Sequence, residues 1–195
     1  MSATGYSAVG SYSDRRLESE APPVGRCFPI SPEVLSMCDA ATHKVAISDL
    51  LVRFFQAFDD KDWPMMRECL WDEVFTDYSS FRGVPAGTLP AGRYVAQRRS
   101  SLEAALEMRH RFLNLRVEVE SGADTAIAFC DYIIHRYHPS FVSIDNHYFH
   151  SYGHYVFAFL NERGAWRISR ITQHVVRSHG GREIQGTSHA RDGNV

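Results

Sequence analysis

Asp59, His110 and His135 are the side chains through which this chain could move protons. Asp59 closes a helical pattern, where the terminal backbone carbonyls disfavour a negative charge by roughly a few tenths of a kcal/mol or more. A residue set against a local rule invites a functional reading. Its neighbours Asp60 and Asp62 read as turn residues, with Asp62 capping the next helix. His110 opens a strand and shares parity with Phe112 and Asn114, opposite Leu113, Leu115 and Val117. His135 shares parity with Ile127, Phe129 and Ile133, a largely apolar set in which Asp131 needs a partner. Singly, a histidine is more often structural than catalytic. Two imidazoles and a carboxylate form an acid/base set when the fold brings them together.

Other chemistries have weaker signals. Ten histidines are concentrated from His110 onward, and His135/His138 and His147/His150/His154 superficially resemble metal-ligand spacings. On strands, residues three apart face opposite ways and residues four apart stand ~13 Å from one another, so neither spacing chelates. No H-E-x-x-H, G-x-G-x-x-G, G-x-x-x-x-G-K-[ST] or G-x-S-x-G pattern occurs in the sequence, which removes the motif-level case for a zinc helix, a dinucleotide fold, a P-loop and a nucleophile elbow. Proton-transfer chemistry or simple binding remains.

The elements that must position these residues follow from periodicity. Ile47, Leu50, Leu51, Phe54 and Phe58 recur at helical spacing within Val45 to Phe58, an amphipathic helix. Asp62 caps a short second helix with Pro64 in its first turn. Val74 to Ser80 reads as a strand, and Pro90 opens a third helix running to about Met108 with Tyr94, Val95, Leu102, Ala105 and Leu106 inward. Alternation then predicts strands over Leu113 to Val119, Ala126 to His138, His147 to Leu160 and Ala165 to Arg177, with a turn at Asn161 to Gly164. Helices followed by an antiparallel meander imply an α+β fold with helices covering one face of a curved sheet.

The 195 residues, 44% of them apolar, suit one domain of about 150 residues plus two ends. Residues 1–25 and 178–195 are rich in Ser, Gly and charge, a composition that buries too little to offset ordering entropy. They read as a mobile arm and as a flexible tail or lid. A net charge of −2 leaves no basic stripe for nucleic acid. Apolar runs such as Tyr155 to Leu160 fall far short of the ~20 residues of a membrane span. The expected location, with no secretory pattern at the start, is the cytoplasm. Cys27, Cys38, Cys69 and Cys130 show no C-x-x-C pair and read as free thiols, Cys69 and Cys130 as small core residues.

Three stretches resemble scytalone dehydratase in order and spacing: Phe58-Asp59-Asp60-Lys61-Asp62-Trp63, Thr76-Asp77-Tyr78-Ser79-Ser80-Phe81 and Leu89-Pro90-Ala91. Arg109-His110-Arg111-Phe112, Ile134-His135-Arg136-Tyr137 and Gly164-Ala165-Trp166-Arg167 agree, and the wider pattern resembles the SnoaL-like branch of the NTF2-like superfamily over about residues 42–177. The resemblance implies a cone-shaped α+β barrel around an apolar pocket, and cofactor-free acid/base catalysis on a small oxygenated, polyketide-type ring in secondary metabolism. It implies that Asp59 is the pocket carboxylate and Tyr78 a carbonyl-polarising phenol. His110 and His135 become the two histidines, with His138 the alternative to His135.

Two departures stand out. The family has a second pocket tyrosine where this chain has Phe58, and a serine and an asparagine about where Gly153 and Tyr155 fall. A site built to bond a hydroxyl discriminates strongly by it, so the expected substrate is not scytalone itself. The resulting expectation is a dehydratase-like lyase. In it His110 takes a proton beside a carbonyl, and His135, oriented by Asp59, protonates the departing hydroxyl. Phe58, Asn114, Phe129, His138, Gly153 and Tyr155 are the substrate-binding candidates. Alternatives are an isomerase or cyclase on the same pocket, or a non-catalytic ligand-binding protein or oxygenase small subunit. The exposed side of such a sheet commonly makes homo-oligomers.

Overall fold

A computed structural model describes residues 32–82, 85–102, 105–120, 122, 124–139 and 147–181, with side chains from residue 39 onward and without those of 81 and 82. The expected arm 1–25 lies outside these residues, as does the expected tail from 182 on; Ser178 to Gly180 continue the last strand. Four helices and six strands run in the order α1 (Pro32–Asp60), α2 (Trp63–Glu68), β1 (Leu70–Asp77), α3 (Ser79–Arg82), β2 (Gly87–Pro90), α4 (Ala91–Ser101), β3 (Glu107–Val119), β4 (Thr125–Tyr137), β5 (Tyr148–Glu162) and β6 (Ala165–Gly180).

The strands form one curved, unclosed sheet in the order β2-β1-β6-β5-β4-β3. β3 to β6 make the expected antiparallel meander. β1 joins it in parallel beside β6 and carries the four-residue edge strand β2, which periodicity did not predict. So short a segment, ending on Pro90, has the character of an edge, where a proline's missing N–H disturbs no ladder. The core lies between the sheet and α1, whose Ile47, Leu50, Leu51, Phe54 and Phe58 are all buried. Cys69 and Cys130 are buried free thiols, and burial pushes them up to about 11 and about 12. Among the described residues no helix is long and apolar enough to cross a membrane.

Three local devices set the geometry of the pocket. α1 ends in a Schellman motif, with Asp62 N donating to Ala57 O at 2.9 Å and Lys61 N to Phe58 O at 3.4 Å. Lys61 takes the left-handed position usually given to glycine, φ 56°, and its Nζ donates to Leu106 O at 2.6 Å. Asp62 then caps α2, its Oδ1 accepting from Met65 N at 3.0 Å. β1 stops at Asp77, short of the predicted Ser80, because Asp77 Oδ1 accepts from both the amide and the hydroxyl of Ser79 at 3.0 and 2.6 Å. Those bonds hold the Asp77 carboxyl below its usual range and start α3 at the residue after Tyr78.

The predicted third helix is shorter than its pattern. Ser100 and Ser101 hydroxyls bond the carbonyls of Gln97 and Arg98 at 3.1 Å each. Serine side chains that engage the backbone in this way compete with helix continuation, and Leu102 is extended. Leu102 and Leu106 remain buried, but from the loop, and Met108 belongs to β3.

The third device is a bulge in β3. Pairing with β4 shifts by one residue between Leu113 and Arg116, and Asn114 there has φ 53°. One extra residue reverses side-chain parity along the strand. Met108, His110 and Phe112 therefore face the core before the bulge, and Leu115, Val117 and Val119 face it afterwards, while Leu113 is exposed.

Candidate active site

His110 is brought to α1 by the first, inward-facing half of β3. Its Nδ1 lies 2.5 Å from Asp59 Oδ1, and its backbone N donates to Asp59 Oδ1 and Oδ2 at 3.1 and 2.9 Å. Both side chains are enclosed, the imidazole 3% and the carboxylate 11% exposed. These donors offset the unfavourable end of the helix dipole at Asp59. They also fix the tautomer: with Nδ1–H donated to the carboxylate, the lone pair sits on Nε2. Phe55 stacks on the imidazole at 5.4 Å and Phe58 tilts against it at 5.0 Å. Burial holds His110 below the ordinary imidazole range; Asp59 opposes that shift and the nearby Arg136 charge adds to it. A neutral, oriented imidazole at neutral pH is a competent general base.

The imidazole forms part of the wall of a narrow cavity, which also carries Phe58, Tyr78, Tyr94, Arg98, Arg136, Tyr155 and Gln173. Tyr78, set by the Asp77 turn, has its hydroxyl 2.9 Å from that of Tyr94. Ser80 ties the same turn to β6, donating to Gln173 O at 2.7 Å and accepting from Val175 N at 3.2 Å. Tyr155 is buried among Phe55, Tyr132 and Phe157, and burial raises its phenol well above the ordinary value.

Five of the ten expected site residues thus share this cavity: Asp59 behind it, and Phe58, Tyr78, His110 and Tyr155 on its wall. His135 does not. On β4 the inward residues are Ala126, Ala128, Cys130, Tyr132, Ile134 and Arg136, so His135 projects from the opposite face with Asp131, Gly153, His150 and His154. Asp59 therefore orients His110 and not His135, and the β4 residue that reaches the cavity is Arg136, 4% exposed. The bulge turns Asn114 to that outer face too, where its Nδ2 donates to Asp131 Oδ2 at 2.6 Å. Phe129 lies there under the Arg116 guanidinium at 4.6 Å. His138 is buried beyond the end of β4, its backbone N donating to His147 O at 2.9 Å, and it is not a cavity residue.

Arg98, Arg136 and Gln173 were not singled out from the sequence, and Tyr94 was expected only as an inward residue of the third helix. A usable signal existed for Arg136: Asp131 shares parity with His135, and an acid in mid-strand marks the solvent face, which leaves the even-numbered set inward. Among the described residues no group of three or more His, Cys, Asp or Glu is placed to hold a metal.

Helices packed on a curved, open six-stranded sheet give the mixed α+β architecture of NTF2-like proteins. The sequence pattern of the SnoaL-like domain matches residues 39–172, and the chain belongs to that family. No curated protein sequence matches it. Among solved structures it is similar to Kfla4162 from Kribbella flavida, at 23% identity and TM-score 0.67, covering 72% of this chain and 95% of that one. It is also similar to the hexachlorocyclohexane dehydrochlorinase LinA-type3 from Novosphingobium barchaimii LL02, at 18% and 0.58, covering 82% and 98%. A candidate scytalone dehydratase from Novosphingobium aromaticivorans DSM 12444 is similar at 11% and 0.61, covering 81% and 95%.

Proposed function

We propose that the protein is a cofactor-free lyase that eliminates water from a small oxygenated ring by proton transfer, in the manner of a dehydratase of secondary metabolism. The enclosed Asp59–His110 pair in the cavity wall carries this reading. His110 Nε2 takes a proton from the carbon beside a carbonyl, and Asp59 stabilises the imidazolium that forms. The Tyr78 and Tyr94 hydroxyls share a hydrogen bond in which either can donate; with Tyr94 as the donor, the Tyr78 hydroxyl bonds the developing enolate, and the Arg136 charge favours the same anion. With His135 on the far face, His110 itself returns the proton to the departing hydroxyl. The C–H and C–O bonds break, a C=C bond forms and water leaves.

A specific observation favours a second reading, an isomerase or cyclase: a single imidazole base in the cavity suffices when the proton goes back to carbon. Incubating the protein in deuterium oxide with a panel of cyclic β-hydroxy ketones separates the two by mass spectrometry. A product 18 Da lighter, the mass of water, supports the lyase, and a deuterated product of unchanged composition the isomerase. Neither loss of water nor deuterium uptake from any member of the panel would count against proton-transfer catalysis and for a binding protein. Tyr78→Phe is expected to lower kcat by about 10²–10³ and the melting temperature by only a few degrees, the cost of the lost bond to Tyr94. Wild-type turnover in that variant would remove Tyr78 from the mechanism.

A further inference from the structure

Arg98 takes no part in the proton transfer, yet it faces the same cavity. It follows Tyr94 by one helical turn on α4, and its guanidinium carbon lies 5.0 Å from the Tyr78 ring centre and 5.1 Å from that of Tyr94. Its Nε is enclosed with no hydrogen-bond partner, and no carboxylate of the described residues forms an ion pair with it. Withdrawing a guanidinium donor from water is unfavourable unless the donor is satisfied. The two aromatic faces offset part of that cost, but they engage the cation's flat face and leave the enclosed Nε–H without a partner. A second cation, Arg136, stands on the same wall. Asp59, behind the wall, is already bound by the amide and ring of His110. A neutral ring would occupy this space without pairing the Arg98 guanidinium.

We propose that the pocket selects an anionic ligand, a small ring bearing a carboxylate, and that Arg98 binds the carboxylate beside the Tyr78–Tyr94 pair. The guanidinium fork matches a carboxylate in shape and charge. Its position next to Tyr78 places the ligand's charged group on the phenol side of the cavity and its ring toward His110. The proposal rests on this cavity being the substrate site, and it names the substrate class that the site admits.

Titration calorimetry with benzoate and its neutral isostere benzamide tests it. The wild-type protein is expected to bind benzoate at least about tenfold more tightly than benzamide, with the difference shrinking as salt is raised. Arg98→Gln is expected to weaken benzoate about ten- to a hundredfold while leaving benzamide unchanged; Arg98→Lys restores part of the preference. His110→Asn keeps the preference, because that change removes the base and not the anion site. A failure of catalysis and a failure of anion selection are therefore read separately. Equal binding of the two ligands, no measurable benzoate binding at millimolar concentration, or a preference that survives in Arg98→Gln would overturn the proposal. Should Arg98→Gln not fold, the wild-type comparison still decides.

Discussion

His110→Asn is expected to lower kcat/KM by about 10²–10⁴ without unfolding the protein. The asparagine amide falls close to the position of Nδ1 and can still donate to Asp59, so the enclosed carboxylate keeps its partner while Nε2 is lost. Asp59→Asn attacks the same pair from the other side. Its amide presents donors where two N–H groups already point, which frees the imidazole to take the wrong tautomer, and a loss of up to about 10⁴ is expected. pH separates base loss from misfolding. Because burial holds His110 below the ordinary imidazole range, wild-type kcat/KM should stay level as pH falls through ~6.5 and decline only below it. The unfolded chain takes up that proton at the higher pH, so the group's contribution to stability is complete above ~6.5 and diminishes as pH falls through that value toward the depressed one. Thermal melts and rate profiles over the same pH series check both, and the pH dependence of the melts should flatten in His110→Asn. A variant with wild-type kcat/KM would show that His110 is not the base.

Gly153→Ala is expected to be among the most destabilising single-methyl additions in the chain. A Cβ on Gly153 would stand 1.9 Å from the His174 carbonyl oxygen and 3.0 Å from Val175 Cα. Both are backbone atoms of the neighbouring strand, and neither can swing aside as the end of a side chain can. The close approach occurs where the β5–β6 register shifts between Tyr152 and Gly153. The methyl group should cost about 2–4 kcal/mol, lowering the melting temperature by roughly 5–15 °C. Gly92→Ala is the control, since nothing lies within 4 Å of its added Cβ; in a helix that change should be neutral or stabilising by up to about 1 kcal/mol. Equal melting temperatures for the two variants would show that β5 and β6 can part at this point at little cost.

Gly153 also illustrates what the sequence carries and what it conceals. As a residue standing about where a family serine is expected, it was a candidate for substrate contact; the fold gives it a packing reason to be small. The α1 pattern was legible because helical periodicity over Ile47 to Phe58 needs no knowledge of partners, and Asp59 was legible because it breaks a helix-end rule. The pairing of Asp59 with His110 was not, since it joins residues 51 apart and depends on which face of β3 turns inward. Alternation predicted one face throughout β3, and a bulge of one residue gave the strand two. On β4 the two alternating sets are similarly apolar, so a choice by hydrophobicity alone exchanged His135 for Arg136. Arg98 was hidden for a different reason: an arginine on a polar helix looks solvated until the tyrosines that enclose it are placed.

The parallel junction of β1 with β6 has a consequence for the order of assembly. The meander β3–β6 joins neighbours in sequence and can zip up locally, whereas Ser80 must find Gln173 across 93 residues of chain. Contacts between distant residues are slow to form because the chain entropy is lost before the contact rewards it. Tyr78 is carried in by that closing strand, so the phenol wall reaches the cavity after the meander that supplies His110. Refolding from denaturant should therefore restore sheet signal in far-ultraviolet circular dichroism before it restores any ability to hold a ligand, leaving a transient species that has His110 in place and lacks Tyr78.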